Sequence, residues 1–171
     1  MKNFVCLILL LCVSVFSAQA EPAEVVRASA EAKIVRDFDV RSSLATVTDW
    51  LENHKSEVYD ANNVTIVKDL GDGKYRLKRS SRRGDFVWIA KETIERGEKQ
   101  VVYKNILIES IQGGIIYSTT VTTVTATKSG TNIRIESSAG VNNPNVASNE
   151  MQLDMKNHLH KVEKTISRGV R

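Results

Sequence analysis

The spacing of hydrophobic residues changes along the chain, and the first change predicts a strand followed by a helix. Small and apolar residues alternate with polar ones over residues 24–38, which is typical of a β-strand. In residues 44–51 the apolar positions fall at steps of three, three and one, which predicts a short helix that buries Trp50. Ser42 or Ser43 precedes this segment and can cap its start.

The central part of the chain returns to a period of two and is divided by turn residues. The segments predicted to be strands are residues 64–69, 74–80, 86–95, 101–111, 115–127 and 132–138. Asp72 and Gly73 separate the first two and can supply the positive φ angles of a tight hairpin turn. Residues 82–85 form the next predicted turn. Short connections between consecutive strands predict an antiparallel meander.

The end of the chain has a helical period. Apolar residues recur at steps of four, four, three and four within residues 146–167, at Met151, Met155, Leu159, Val162 and Ile166. This spacing predicts a long amphipathic helix. We expect Asn145 or Ser148 to cap its start, and Gly169 to close its end in a left-handed conformation.

The first twenty residues have the pattern of an export signal. Lys2 precedes an apolar run over residues 4–16, and residues 18–20 have the small-x-small sequence Ala-Gln-Ala. The run is shorter than the roughly 20 residues that a membrane-spanning helix needs. We therefore predict cleavage between Ala20 and Glu21, one mature domain over residues 21–171, and a periplasmic or secreted location.

Composition excludes several kinds of chemistry. Both cysteines, Cys6 and Cys12, lie in the predicted signal, so the mature chain would contain no disulfide, thiolate nucleophile or cysteine-bound metal. Lipid attachment at Cys12 is disfavoured, because leucines precede it where lipoprotein processing needs a small residue. The net charge of +4 is modest for a nucleic-acid binder. With three histidines and no acidic cluster at ligand spacing, we predict no metal, no cofactor and no nucleic-acid partner.

The order of elements and several short motifs resemble a known superfamily. The early helix contains VTDWLENH, the first hairpin contains GDGKY, and a later strand contains Asp-Phe-Val-Trp. Together with the amphipathic C-terminal helix, these are similar to START-like or Bet v 1-like proteins, also called SRPBCC or helix-grip proteins, over residues 24–168. The resemblance implies an α+β fold in which a curved antiparallel sheet of about seven strands wraps around the C-terminal helix. A lipocalin-like or other antiparallel barrel is the alternative fold.

The resemblance also implies an apolar cavity between the sheet and the C-terminal helix that accepts lipids, sterols, quinones or polyketides. Aromatic rings and thioethers make adaptable walls for such ligands. The predicted ligand-binding residues are Trp50, Tyr75, Phe86, Trp88, Tyr103, Tyr117, Met151, Met155 and Leu159. Each of them could instead be an ordinary core residue. The sequence favours an exported, non-enzymatic binder or carrier of an apolar ligand.

Two alternatives stay open. The first is an enzyme of the cyclase or dehydratase kind, in which Glu109 or His158 would act. Glu109 has the strand parity of Tyr103 and Leu107, and burial in an apolar cavity would raise its pKa into a range suited to acid–base catalysis. The opposite parity, which includes Ile106, is equally apolar, so the inward face is undecided. The second alternative is an interaction module without a cavity.

One predicted hairpin is strongly cationic. Its cations are Lys74, Arg76, Lys78, Arg79, Arg82 and Arg83. The first three share one strand face, and the last three are predicted to make transient contact with anionic lipid headgroups at a membrane surface. The alternative is an ordinary solvated face of the sheet.

Overall fold

A computed structural model describes residues 27–81 and 84–171. The predicted signal, its cleavage site, the start of the first predicted strand, and Arg82 and Arg83 lie outside these residues. Within the two described ranges, every helix is too short or too polar to cross a bilayer.

Seven strands and three helices make up the described part of the chain. In order they are β1 Ala30–Val40, α1 Leu44–Asn53, α2 Lys55–Ala61, β2 Thr65–Gly71, β3 Lys74–Ser81, β4 Gly84–Arg96, β5 Gln100–Gln112, β6 Ile115–Thr127, β7 Gly130–Val141 and α3 Ser148–Gly169. The strands form one curved antiparallel sheet in the order β1-β7-β6-β5-β4-β3-β2. This confirms the predicted α+β class, the meander and the long terminal helix. The pattern did not predict α2.

Helix α1 forms as its sequence predicts. The Ser43 hydroxyl accepts a hydrogen bond from the Thr46 backbone N–H at 3.2 Å, so Ser43 is the N-cap. Val47, Trp50 and Leu51 are buried along one side of the helix. Burying side chains of this size contributes roughly 1.5–3 kcal/mol each, and this burial fixes α1 against the sheet.

The ends of α3 differ from the prediction. Ala147 is the N-cap in extended conformation, and no side chain caps the helix start. Ser148 cannot serve as the cap because it is already helical, and its hydroxyl accepts a hydrogen bond from the Glu31 backbone N–H at 3.1 Å. Gly169 is the last helical residue and is not left-handed. The predicted caps at Asn145, Ser148 and Gly169 were therefore wrong.

The hairpin between β2 and β3 turns as predicted. Asp72 and Gly73 have φ angles of 50° and 71°, the left-handed pair that a two-residue hairpin turn needs. A Cβ at Gly73 would lie 2.6 Å from the backbone oxygen of Glu92, so this position also requires glycine for space.

The apolar core consists of two separate groups of buried residues. The α1 cluster contains Val47, Trp50, Leu51, Val124, Ile133, Ile135, Leu159, Val162, Ile166 and Val170. The hairpin cluster contains Ala30, Val64, Leu77, Trp88, Ala90, Ile115 and Val141. The division of the core leaves room for an internal space between the sheet and α3.

Candidate functional site

A cavity of about 430 Å³ lies between the inner face of the sheet, α2 and α3. Residues of both core clusters line it, among them Leu51 and Ile135 from the α1 cluster and Leu77 and Val141 from the hairpin cluster. The volume falls within the range of about 300–1,000 Å³ that is typical of small-molecule sites. The internal space is therefore large enough for a ligand.

The structure brings six of the nine predicted ligand-binding residues to the cavity wall. They are Phe86, Trp88, Tyr103, Met151, Met155 and Leu159. Strand β4 contributes Phe86 and Trp88 from alternate positions, and α3 contributes three residues at steps of four, so that all three lie on one side of the helix. Their contact with a ligand stays a prediction.

Trp50 and Tyr75 lie outside the cavity lining. Trp50 is packed in the α1 cluster, where its ring stacks on His54 with 4.9 Å between the ring centroids. Tyr75 packs at the edge of the hairpin cluster, and the Lys55 Nζ lies 4.8 Å from the centroid of its ring. Neighbouring side chains thus cover both rings.

Tyr117 lies outside the cavity lining because β6 contains a β-bulge. Ile115 pairs with Val141 whereas Tyr117 pairs with Gly140, so one extra residue of β6 reverses the alternation of faces. Tyr117 packs over Gly140, where a Cβ would overlap its ring, and it is 36% exposed. Tyr117 therefore belongs to the outer face of the sheet, and its contact with a ligand is not part of the function proposed below.

A second β-bulge determines which residues of β5 face inward. Leu107 pairs with the buried Ala90, but Glu109 pairs with Ile89, so the strand gains one residue between the two pairs. Tyr103 and Leu107 face inward, and Glu109 is exposed. Glu109 therefore lies outside the cavity lining.

Helix α2 supplies cavity residues that the sequence pattern did not predict. Those on or just after the helix are Lys55, Val58, Tyr59 and Asn62. Lys55 donates hydrogen bonds to Glu92 Oε1 at 2.5 Å and to the Tyr75 hydroxyl at 3.0 Å. Burial opposes the charge on Lys55, but these hydrogen bonds prevail and raise its pKa. Asn105 donates to the Tyr59 hydroxyl at 2.7 Å. This side of the cavity is polar but internally paired.

One end of the cavity carries a hydrogen-bonded carboxylate. Tyr103 donates its hydroxyl proton to Glu52 Oε1 at 2.9 Å, and Arg96 Nη2 lies 2.7 Å from both carboxylate oxygens. Partial burial would raise the pKa of Glu52, but the hydrogen bonds from Arg96 and Tyr103 lower it. Glu52 is therefore ionised at neutral pH.

Much of the wall formed by β6 and β7 consists of small side chains, with Ile115, Ile135 and Val141 as its larger residues. The small residues are Ser118, Thr120, Thr122, Ser137 and Ala139. The Thr120 and Ser137 hydroxyls lie 3.1 Å apart and hydrogen-bond to each other. Because small residues face α3 here, the space between sheet and helix stays unfilled.

Solved structures share this arrangement of an antiparallel sheet and a long C-terminal helix. A START superfamily protein from Mycobacterium smegmatis aligns with a TM-score of 0.58 at 16% identity, over 81% of this chain and 96% of that chain. Ara h 8.0201 aligns with a TM-score of 0.55 at 14% identity, over 82% of this chain and 97% of that chain. The chain has the START-like, Bet v 1-like helix-grip fold.

The helix-grip fold also occurs in an enzyme. The Zhui aromatase/cyclase from Streptomyces sp. R1128 aligns with a TM-score of 0.54 at 10% identity, over 82% of this chain and 91% of that chain. No family profile and no curated protein matches the sequence. At these identities the likeness extends to the fold alone.

Arg79 lies inside the helix-grip cavity rather than at the surface. It pairs with Phe86 and shares the inner face of β3 with the buried Leu77. Its Nη2 donates to the backbone oxygen and to Oδ1 of Asn62, at 2.9 and 3.3 Å. Burial lowers the pKa of Arg79, although from a value far above neutrality. Its contact with a membrane surface stays a prediction, against which stands the alternation of β3 that directs the side chain inward.

The other cations of β3 lie on the outer face of the sheet. Lys74 and Arg76 are exposed, and the Lys78 Nζ forms an ion pair with Asp85 Oδ2 at 2.6 Å. The exposed positions match the predicted cationic face. Arg82 and Arg83 lie outside the described residues.

His158 is buried beside the cavity but does not line it. The side chain lies on α3 near Arg79, and its Nδ1 is 3.4 Å from Asp154 Oδ2 without forming a hydrogen bond to any residue of the described ranges. Burial and then the positive charge of Arg79 lower the pKa of His158. The imidazole is therefore neutral at pH 7. Over residues 27–81 and 84–171, no three side chains of His, Cys, Asp or Glu come together as metal ligands.

Proposed function

We propose that the protein is a binder or carrier of an apolar ligand held between the sheet and α3. The observation that carries this proposal is the cavity between the two core clusters, which both contribute apolar side chains to its wall. Protein interiors are normally close-packed, and unfilled apolar space lowers stability. A fold that keeps such a space gains stability when a ligand occupies it.

Two observations favour binding over the alternatives. The cavity argues against an interaction module whose interior is packed shut. Glu109 and His158, the residues on which the enzyme hypothesis depends, both lie outside the cavity lining. Of the polar residues that do line it, Lys55 and Glu92 form an ion pair with each other.

We extend the proposal to the class of ligand, to export of the chain and to its contact with a membrane. We infer that the ligand is a lipid, sterol, quinone or similar molecule, because apolar residues from β4, β5 and α3 line much of the cavity. We infer that the chain is exported and cleaved before Glu21, on the evidence of residues 1–20. Loading from a membrane would bring the protein to an anionic surface, and Arg82 and Arg83 are the cations we assign to that contact.

Mass spectrometry of organic extracts tests the proposal. The full chain is expressed in its native compartment, purified without detergent and extracted, and we expect one class of apolar molecule at near-equimolar amount. Adding that class back to delipidated protein should raise the melting temperature, because a ligand that binds only the folded state stabilises it. Extracts without an apolar molecule, together with a melting temperature that long-chain lipids and isoprenoid quinones leave unchanged, would overturn the proposal.

A further inference from the structure

The guanidinium of Arg79 is an unusual group for the wall of an apolar cavity. Its side chain is only 22% exposed, and its Nε is buried without a hydrogen-bond partner among the described residues. A buried polar group without a partner lowers stability, and native proteins contain few of them. The protein itself therefore leaves this guanidinium, which lines the cavity, incompletely hydrogen-bonded.

The surroundings of Arg79 leave part of its donor capacity unused. Arginine carries N–H donors on all of its guanidinium nitrogens and accepts no hydrogen bond. Nη2 is occupied by the two oxygens of Asn62. Nη1 lies 3.9 Å from Asp154 Oδ2, which is too far for a hydrogen bond. Asn62 thus orients the group, Nε is enclosed, and Nη1 stays without a hydrogen bond.

We propose that the cavity takes an apolar molecule with a single acidic group, a carboxylate or a phosphate, which pairs with the Arg79 guanidinium and accepts a hydrogen bond from its Nη1. The inference rests on the proposed carrier function and names the class of its ligand. Arginine suits this role because it stays charged when buried and its donors match the oxygens of these anions. Phe86 and Met151 provide apolar wall in the same cavity for the rest of the molecule.

Four acidic residues line this cavity, and two of them, Glu52 and Glu92, are held in ion pairs with Arg96 and Lys55. An acidic ligand has to compete with the other two. Asp154 is the nearest ion-pair partner of Arg79, but its side chain is 55% exposed, so it can turn toward solvent when a ligand anion arrives. Glu150 is exposed as well. Hydrogen bonds from a buried arginine to the ligand are stronger than a water-exposed ion pair at 3.9 Å.

The test compares three probes that share one chain: dodecanoate, dodecyl phosphate and 1-dodecanol, the two anions below their micelle concentrations and the alcohol below its solubility limit. We expect one or both anions to bind the unaltered protein about tenfold or more tightly than the alcohol, as measured by isothermal titration calorimetry. The ratio of the two anions distinguishes a carboxylate ligand from a phosphate ligand. Arg79→Gln should remove the preference for the anion, and Arg79→Lys should retain part of it. Asp154→Asn should strengthen anion binding.

Arg76→Gln is the matched control, because Arg76 lies on the exposed face of the same strand. It should leave the preference unchanged. Equal affinity for all three probes, or a preference that Arg79→Gln retains, overturns the inference and leaves the carrier function intact. If none of the three probes binds, the inference is overturned. If, in addition, the organic extracts contain no apolar molecule, the proposed carrier function fails as well. If Arg79→Gln does not fold, the comparison of probes in the unaltered protein decides.

Discussion

Gly169 lies directly against the indole ring of Trp50, so that a Cβ at position 169 would overlap Cε2 and Cζ2 of the ring. The missing side chain lets the end of α3 pack onto α1. This contact, rather than a left-handed helix end, is the physical reason for glycine at the last position of α3. It anchors the helix that forms one wall of the cavity.

Gly169→Ala should therefore destabilise the protein. Alanine is favoured over glycine within a helix by up to about 1 kcal/mol, but overpacking a rigid ring typically costs about 1–3 kcal/mol. Trp50 cannot move aside easily because it is buried and stacked on His54. We expect a net loss of roughly 1–2 kcal/mol in the free energy of unfolding, measured by urea denaturation.

Gly97→Ala is the control, since a Cβ at Gly97 would come no closer than 3.4 Å to a neighbouring atom. It should change the free energy of unfolding by less than about 0.5 kcal/mol. Equal effects of the two substitutions would show that the contact with Trp50 does not limit position 169.

The buried His158 should make stability depend on pH. Its pKa lies below the ordinary value of 6.5 in the folded state, because of burial and the charge of Arg79, while Asp154 opposes the shift. The unfolded chain therefore takes up a proton first as the pH falls below about 6.5, and stability decreases toward the lower, folded-state pKa. Above about pH 6.5 the full contribution of His158 to the free energy of unfolding is present. Urea midpoints at about pH 7.5 and 5.5 should show this loss.

His158→Gln should weaken that pH dependence, whatever it does to stability at neutral pH. His160→Gln is the control, because His160 is exposed on the same helix. If the His158 variant keeps the full pH dependence of the unaltered protein, another group is responsible.

Ala139→Leu should fill part of the cavity. Ala139 lies on the inner face of β7 among small residues, so a larger apolar side chain occupies space that a ligand would use. We expect the affinity for dodecanoate or 1-dodecanol to fall about tenfold or more, with no loss of melting temperature in the unliganded protein. Ser138→Leu, on the outer face of the same strand, should leave affinity unchanged. If Ala139→Leu and Ser138→Leu bind the probe with equal affinity, the ligand does not bind in the space next to Ala139.

Regular alternation allowed most of the sheet to be predicted from the sequence. Trp88 and Ala90 are buried as their strand pattern requires, and Leu159 lies on the predicted face of α3. The fold follows from such patterns because each buried face needs apolar residues at a fixed period. Arg79 has the parity of Leu77 and could have been assigned to the inner face by that rule. The positive charge of Arg79 instead led to a predicted position at the protein surface.

The remaining differences between the expected and the observed positions come from features that leave no periodic signal. The bulges before Tyr117 and Glu109 each add one residue to a strand in which both faces are partly apolar, so the change of face leaves the pattern intact. Helix α2 is short, and none of its residues is fully buried. Its contribution to the cavity through Lys55 and Tyr59 depends on packing against distant strands.

Membrane contact through Arg82 and Arg83 predicts a loss of vesicle binding when both are replaced by serine. A cation near an anionic surface contributes roughly 1 kcal/mol, so binding to phosphatidylserine-containing vesicles at low salt should fall by about tenfold or more. The Lys156→Ser, Lys164→Ser double variant removes the same charge from exposed positions of α3 and is the control. If the two double variants lose vesicle binding equally in a sedimentation assay, the net charge of the protein alone attracts it to the membrane.

The methyl groups of Met151 and Met155 test the central claim most directly, because both side chains line the cavity. In protein labelled with ¹³C-methyl methionine, we expect both signals to shift during titration with 1-dodecanol and to saturate together. Leu153→Met adds a reporter on the same helix at a position whose native side chain is 60% exposed, and its signal should stay in place. Saturable binding that leaves Met151 and Met155 unchanged would contradict a ligand site between the sheet and α3.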